Sequence, residues 1–275
     1  FGWWYRTEVS FTKSDKERVF FVTEGIEYEY DLYLNGKKLL HHTGMFSRVD
    51  LDITSELSEG NLLEIYIYPH PKREGADECR EQADQCCKPA VGYGWDWHPR
   101  LLVSGIWNDT YIETRSENTI VSCSHTYTLS EDLTSAEVTF TVDCPSPVTL
   151  ELLDMNGKTV YQGNALHFRL DDVQLWWCNG QGTPYLYTWR VKSAGDCKTG
   201  QIGFRRVRLV MNGNAWEHPN QFPKTRSTPP MTIELNGRKI FGKGSNWVNP
   251  EIFTGTITKE TYENQLRLAK EAHMN

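Results

Sequence analysis

Residues 26–36 read IEYEYDLYLNG, and the order of side chains in this stretch decides what kind of fold the chain can form. Apolar and acidic residues alternate along most of it, which is the period of a β-strand with one buried face. It ends at Asn35-Gly36, a dipeptide favoured in two-residue hairpin turns because both positions tolerate positive φ. The pattern predicts a strand that enters a hairpin. Its apolar face is Ile26, Tyr28, Tyr30, Leu32 and Leu34, and its polar face is Glu27, Glu29 and Asp31.

The same alternation recurs through the first 110 residues. Its apolar positions are Trp3, Tyr5, Thr7, Val9 and Phe11, then Val49, Leu51 and Ile53, then Leu63, Ile65 and Ile67. Further strands are predicted at residues 101–103 and 110–112. Residues 69–88 lack a strand or helix period and are predicted to form a long loop. Half-buried antiparallel strands at this spacing predict a β-sandwich.

A second β unit is predicted at residues 115–212. Val138, Phe140 and Val142 alternate, as do Val148, Leu150 and Leu152, and a second Asn-Gly turn signal, Asn156-Gly157, follows. A length of about 100 residues with short strands is typical of an immunoglobulin-like sandwich.

Residues 213–230 are rich in Pro, Asn, Ser and Thr without periodicity, so they are predicted to be a linker. Residues 231–275 change character: a hairpin turns at Asn236-Gly237, and a helix follows Thr258, a plausible N-cap. Tyr262, Leu266, Ala269 and His273 follow at helical spacing, which predicts that His273 packs rather than binds a ligand. A segment of about 45 residues is too short to bury a core alone. We therefore expect it to belong to a domain that continues beyond Asn275.

Composition excludes several classes of function. The formal net charge of −7 argues against a nucleic-acid partner, which a basic surface would bind. No apolar run reaches the length of about 20 residues that a membrane span requires. The seven cysteines are odd in number and unevenly spaced, which argues against a disulfide framework. Three of them, near His98, lack the spacing of a zinc site, so no metal and no cofactor is predicted.

Residues 91–100, VGYGWDWHPR, place three aromatic rings and one carboxylate at a single bend. The residues alone allow two interpretations. Trp95 and Trp97 could alternate into a sandwich core while Asp96 faces solvent. Alternatively, the rings could form a platform for a flat ligand, with the carboxylate accepting hydrogen bonds from it.

Several motifs, in order along the chain, resemble those of the family-2 glycoside hydrolases, the β-galactosidase, β-glucuronidase and β-mannosidase group. They are WWYR (3–6), SGIWNDTYIE (104–113), LWWCNGQGTPYLYTWRV (175–191), IGFRRVRL (202–209) and ELNGRKIFGKGSNWVNPEIF (234–253). WDWHP (95–99) is similar to the WDWGP segment of the β-mannosidase branch. Three positions depart from the family pattern: His98 replaces Gly, Cys178 replaces Pro, and Pro250 lies one place late.

The resemblance implies roles for three side chains. Trp95 would lie against a sugar face and Asp96 would accept hydrogen bonds from sugar hydroxyls. Trp97 keeps the interpretation from alternation, in which it belongs to the core. Trp247 is a second candidate for the sugar pocket, with packing in a barrel floor as the alternative. The family is retaining and uses two glutamates on later barrel strands, beyond residue 275. No catalytic residue is therefore expected here, and the chain alone is predicted to be inactive.

The resemblance also implies an organisation that is mainly β. Residues 1–114 would form a jelly-roll, galactose-binding-like sandwich that lacks its first strands, and residues 115–212 an immunoglobulin-like sandwich. Residues 231–275 would be the opening hairpin, strand and helix of a (β/α)8 barrel. The expected partner is a carbohydrate, a β-mannoside or related β-glycoside. The alternative is a free-standing carbohydrate-binding or adhesion protein. The sequence assigns neither an oligomeric state nor a compartment, and periplasmic, secreted and lysosomal-type locations stay open.

Overall fold

The computed structural model describes residues 1–11, 14–77, 80–84, 86–213 and 230–275. These residues form two compact units. The first comprises Phe1–Ser116 and Trp247–Tyr262, and the second comprises Glu117–Asn246 and Glu263–Asn275. Within the described ranges, none of the helices has the length and apolar character that crossing a membrane requires. The predicted linker 213–230 lies outside the described residues except for its two end positions.

The first unit is an antiparallel β-sandwich. Its strands are β1 (Trp3–Val9), β2 (Arg18–Thr23), β3 (Ile26–Glu27), β4 (Glu29–Leu34), β5 (Lys37–Thr43), β6 (Val49–Asp52), β7 (Asn61–Ile67), β8 (Gly105–Ile106) and β9 (Thr110–Arg115). They form a four-stranded sheet in the order β1-β7-β4-β5, a three-stranded sheet β6-β2-β9 and a short pair β3-β8. The fold is mainly β, as the alternation predicted.

The hairpin predicted from residues 26–36 is confirmed. Asn35 and Gly36 adopt φ values of 53° and 78°, and β4 pairs with β5 across this turn. Tyr30, Leu32 and Leu34 are fully buried against residues of the facing sheet, including Phe21. The burial of this face follows from the period of two, since β4 directs alternate side chains into the core.

The polar face of the same stretch was predicted incorrectly. Glu27 and Asp31 are buried rather than solvated. Glu27 forms an ion pair with Lys88, and Asp31 is surrounded by hydrogen-bond donors from neighbouring side chains. Alternation predicts the face of the sheet on which a side chain lies. It does not predict whether other residues cover that face.

Two other strand predictions also need correction. Residues 101–103 form no strand, because their backbone groups bond within the preceding loop: the Leu101 amide donates to the Gly92 carbonyl and the Val103 carbonyl accepts from Lys88. β1 forms as predicted, but Trp3 and Tyr5 on its inward face stay exposed. No described residue covers them fully.

The second unit contains a seven-stranded sandwich, the number typical of immunoglobulin-like domains. Its strands are β10 (Ser122–Leu129), β11 (Ala136–Asp143), β12 (Thr149–Leu153), β13 (Thr159–Gly163), β14 (His167–Leu170), β15 (Tyr187–Lys192) and β16 (Cys197–Ile202). They form two antiparallel sheets, β10-β11-β14 and β13-β12-β15-β16. The core includes Val138, Phe140, Leu152 and Trp189. Asn156-Gly157 lies in the connection between β12 and β13, as predicted.

A third sheet of the second unit holds the predicted hairpin. It consists of β17 (Val207–Met211), β18 (Met231–Leu235) and β19 (Arg238–Ile240), in that order. Asn236 and Gly237 have φ values of 50° and 79°, which confirms the turn. The separate strand expected after the hairpin is not formed, since residues 241–253 contain none. A parallel barrel strand exists only through hydrogen bonds to neighbouring strands.

One α-helix, α1 (Lys259–Glu271), is present in the described residues. The Thr258 hydroxyl accepts a hydrogen bond from the Thr261 amide at 3.2 Å, so Thr258 is the N-cap, as predicted. The helix ends before His273, which adopts φ 59°. His273 therefore lies outside the helix and is exposed, and the prediction that it packs on the helical stripe is wrong.

Candidate functional site

The WDWHP segment forms a tight turn in the long connection between β7 and β8. The Trp95 amide donates to the His98 carbonyl at 3.0 Å, and the His98 amide donates to the Trp95 carbonyl at 3.2 Å. These reciprocal bonds place Asp96 and Trp97 at the tip. Gly94 precedes the turn with φ 115°, a conformation that L-residues with side chains rarely adopt.

The three aromatic rings of this loop differ in exposure. Tyr93 is buried, and its hydroxyl donates to the Pro71 carbonyl at 2.5 Å. Trp95 is 40% exposed, and the Arg80 guanidinium lies 3.6 Å from its ring centroid. Trp97 is 57% exposed, so the prediction that it belongs to the core is wrong. It lies at the tip of a two-residue turn, outside the strands of the sheets.

Side-chain hydrogen bonds hold the loop against the rest of the connection. Arg100 donates to the Tyr93 carbonyl at 3.0 Å and to the Gln82 side-chain oxygen at 2.7 Å. The Leu101 amide donates to the Gly92 carbonyl at 3.0 Å. These bonds fix both arms of the bend, so the tip is presented on a supported loop.

A buried ion pair lies at the base of the loop. The side chains of Lys88 and Glu27 are 2% and 3% exposed and form a direct salt bridge, and Lys88 also donates to the Val103 carbonyl at 2.7 Å. Burial raises the pKa of Glu27 and lowers the pKa of Lys88, and each shift is opposed by the hydrogen bond and charge of the partner. Through Lys88, the pair connects the chain before the loop to Val103 after the loop and to Glu27 in strand β3.

A small cavity of about 100 Å³ lies beside the loop tip within the first unit. Trp97 and His98 line one part of it, and Val248, Asn249 and Glu251 line another. It is smaller than the roughly 300 Å³ at which small-molecule sites usually begin. The structure thus brings the loop tip together with the segment that follows Trp247.

The predicted site residues themselves have separate surroundings. Trp95, Asp96 and Trp247 do not line this cavity. Asp96 is exposed at the tip of the turn, and Trp247 is 51% exposed with its ring 6.3 Å from that of Tyr262. Within the described ranges, no group of three or more His, Cys, Asp or Glu side chains is arranged to hold a metal.

The sequence analysis missed Arg80, Lys88 and Glu27. Arg80 and Lys88 fall in or at the edge of a stretch without periodicity, so no pattern assigned them a face. Glu27 lies on the polar side of an alternating stretch, a pattern that predicts an exposed side chain. The sequence signal for a buried ion pair at the base of the loop was weak: it was a single lysine, Lys88, next to Pro89 and the glycine-containing bend.

Comparison with known families identifies the chain. The family model described as "Glycosyl hydrolase 2 galactose-binding domain-like" matches residues 2–108, and the one described as "Glycosyl hydrolases family 2" matches residues 106–205. The chain belongs to glycosyl hydrolase family 2. The first matched range covers β1–β8 of the first sandwich, and the second covers β9 and all seven strands of the second sandwich. The resemblance inferred from the motifs is therefore confirmed.

Curated relatives of the chain include β-mannosidases from animals and fungi. The chain is 25% identical to the β-mannosidase of Rattus norvegicus over its whole length, covering 35% of that protein. It is 26% identical to β-mannosidase B of Aspergillus flavus, with 89% of the chain aligned to 32% of that protein. The chain therefore spans about a third of the length of the curated relatives it matches.

Solved structures of a β-mannosidase and a β-glucuronidase share the fold. The β-D-mannosidase of Dictyoglomus thermophilum superposes with a TM-score of 0.77 at 21% identity, covering all of this chain and 36% of that one. A β-glucuronidase from an uncultured Clostridium gives a TM-score of 0.67 at 19% identity, with 99% of this chain and 44% of that one covered.

Proposed function

We propose that this chain is part of a retaining β-mannosidase of family 2 and supplies accessory sandwiches and one loop of the sugar pocket. The observation that carries the proposal is the WDWHP turn, which holds a tryptophan and a carboxylate exposed on a supported bend. A pyranose offers an apolar C–H face to an aromatic ring and hydroxyls to a carboxylate acceptor.

Within this proposal, Trp95 packs against the sugar and Asp96 accepts hydrogen bonds from its hydroxyls. Arg80 covers one face of the Trp95 ring, which leaves the other face for the ligand. Trp97 joins the candidates, since it is exposed at the tip and lines the cavity next to the 248–254 segment. Trp247 remains a candidate for the same pocket.

The proposed division of the chain is a jelly-roll domain at 1–114, an immunoglobulin-like domain at 115–212, a linker at 213–230 and the start of a (β/α)8 barrel at 231–275. The relatives named β-mannosidase and the similar β-mannosidase fold support this arrangement. The alternative is a free-standing carbohydrate-binding protein. The reading frame after Asn275 separates the two: a barrel of about 200–300 further residues with two acidic strand ends favours the enzyme, and a stop codon favours the alternative.

The isolated chain of 275 residues is expected to have no glycosidase activity. Retaining glycosidases need two carboxyl groups about 5–5.5 Å apart. The carboxylates near the loops that resemble the family's active-site loops are Asp96 and Glu251, which the family does not use for proton transfer or attack. Incubation with a chromogenic β-mannoside should give no turnover above the rate in buffer. Turnover that is abolished by Asp96→Asn would contradict the proposal that the catalytic residues lie outside this chain.

A further inference from the structure

The outer surface of the four-stranded sheet in the first unit carries a row of aromatic side chains. The register places Trp4 opposite Tyr66, Tyr66 opposite Asp31, and Asp31 opposite His41. Residues on the other face of the same strands, such as Leu32 and Ile65, are buried in the core. The row therefore lies on the solvent side, where polar residues are the usual occupants.

These rings contact one another in a continuous series. Trp4 lies 4.9 Å from Tyr66 and 5.6 Å from Tyr33, measured between ring centroids. Tyr66 lies 4.8 Å from Tyr68, which lies 5.8 Å from His41. We call these five residues the aromatic face. Trp4 is 49% exposed and the three tyrosines are half-buried, so ring surface is accessible along the series.

Asp31 holds the aromatic face in a fixed arrangement. It is 2% exposed although it lies on the outer side of the sheet. The hydroxyls of Tyr33 and Tyr68 donate to it at 3.1 and 2.9 Å, and Lys38 and His41 contact it at 2.7 Å each. Burial alone would raise the pKa of Asp31, but these four hydrogen bonds lower it to about 2. Three of the five rings are therefore oriented before any ligand arrives, which reduces the entropy lost on binding.

The charged groups around the aromatic face have no excess of positive charge. Arg6 pairs with Glu64 at 2.8 Å and its guanidinium lies 5.0 Å from the Trp4 centroid. Lys38 pairs with Asp31. Glu29, 3.4 Å from His41, adds a third carboxylate to the two ion pairs. Because carboxylates outnumber cations, the surface favours an uncharged ligand with many hydroxyl groups over an acidic one.

We propose that the aromatic face is a second carbohydrate-binding surface that holds a neutral, extended hexopyranose chain, separate from the WDWHP loop. A flat, open sheet face suits an extended glycan better than a single sugar. Successive pyranose rings would lie along the series that begins at Trp4, with Arg6 and Glu64 serving hydroxyls at its margin. Such a surface would keep the protein on a polymeric substrate independently of the site that the loop serves.

Affinity electrophoresis of the 275-residue chain in gels containing soluble glucomannan tests this proposal. The chain should be retarded by glucomannan and not by polygalacturonate. Trp4→Ala should weaken the affinity about 10- to 30-fold, the range of a central aromatic contact. Trp4→Phe should retain most of the binding, and Tyr111→Ala, which removes an exposed ring from the other sheet of the same unit, should bind like the unchanged chain.

Thermal unfolding shows whether the Trp4→Ala variant folds. If it does not fold, Trp4→Thr is used in its place, because threonine is favoured in strands. Absence of retardation by glucomannan would overturn the proposal, as would equal affinities of the Trp4 variants and the unchanged chain. A self-associated chain in sedimentation velocity that Trp4→Ala converts to monomer, without glucomannan binding, would assign the face to protein contact instead.

Discussion

Replacing Lys88 with methionine is expected to destabilise the first unit by about 3–5 kcal/mol. The substitution leaves the Glu27 carboxylate buried without its partner, and it removes the donor to the Val103 carbonyl. A buried charge that loses its partner retains the full cost of leaving water. Urea unfolding with pulsed hydrogen exchange and mass spectrometry measures each unit separately. The strands of the second unit then serve as an internal reference.

Lys37→Met is the matched control. It removes a Lys–Glu pair of the same unit, Lys37–Glu56 at 2.7 Å, but the lysine side chain is 64% exposed. An exposed pair contributes no more than about 1 kcal/mol. The double variant Lys88→Met with Glu27→Leu should recover most of the stability, because neither charge remains buried. Equal losses for Lys88→Met and Lys37→Met would refute the role assigned to the buried pair.

The loss caused by Lys88→Met should depend on pH. Burial already raises the pKa of Glu27, and removal of Lys88 takes away the opposing interactions. A carboxyl group whose pKa is raised in the folded state stabilises the fold below its unfolded pKa, near 4.3, and loses that contribution as pH rises through the folded value. The variant should therefore lie closer to the unchanged chain at pH 5 than at pH 8.

In the full-length enzyme that we propose, Asp96→Asn is expected to lower kcat/KM for a β-mannoside about 10- to 150-fold. A hydrogen bond to a charged group is worth roughly 1.5–3 kcal/mol, and an amide presents only one oxygen as acceptor. Asp96 lies exposed at the tip of its turn, so the substitution should leave the free energy of unfolding unchanged within about 0.5 kcal/mol. Steady-state kinetics and urea unfolding measure the two effects.

Asp143→Asn provides the control for charge, since Asp143 is an exposed residue at the end of β11 in the second unit. It should leave kcat/KM unchanged. If Asp96→Asn and Asp143→Asn gave the same kcat/KM, Asp96 would not contact the sugar. A loss of activity in Asp96→Asn that tracked a loss of stability would indicate a structural role for the loop residue.

The elements that the sequence predicted well have local causes. The turns at Asn35-Gly36 and Asn236-Gly237 follow from the φ values that these residues tolerate, and Thr258 caps its helix through its own hydroxyl. The buried positions of β4 and β11 follow from their period of two. Such features depend on neighbours in the chain, so one sequence is enough to predict them.

The features that the sequence failed to predict depend on distant partners. Glu27 can be buried because it forms an ion pair with Lys88, which lies 61 positions later in the chain. Asp31 is buried under side chains of β5 and of Tyr68. Trp97 was assigned to the core from alternation, but reciprocal hydrogen bonds between Trp95 and His98 turn it outward. The aromatic face was equally hidden, since its rings come from four separate stretches of chain.

The central claim is that the WDWHP turn presents Trp95 and Asp96 to a sugar. A crystal structure of the full-length enzyme with a non-hydrolysed β-mannoside analogue tests it most directly. We predict a pyranose whose C–H face packs on Trp95 and whose hydroxyls donate to the Asp96 carboxylate within about 2.5–3.0 Å. A sugar bound with both side chains out of contact, and with the turn in the conformation described above, would contradict the claim.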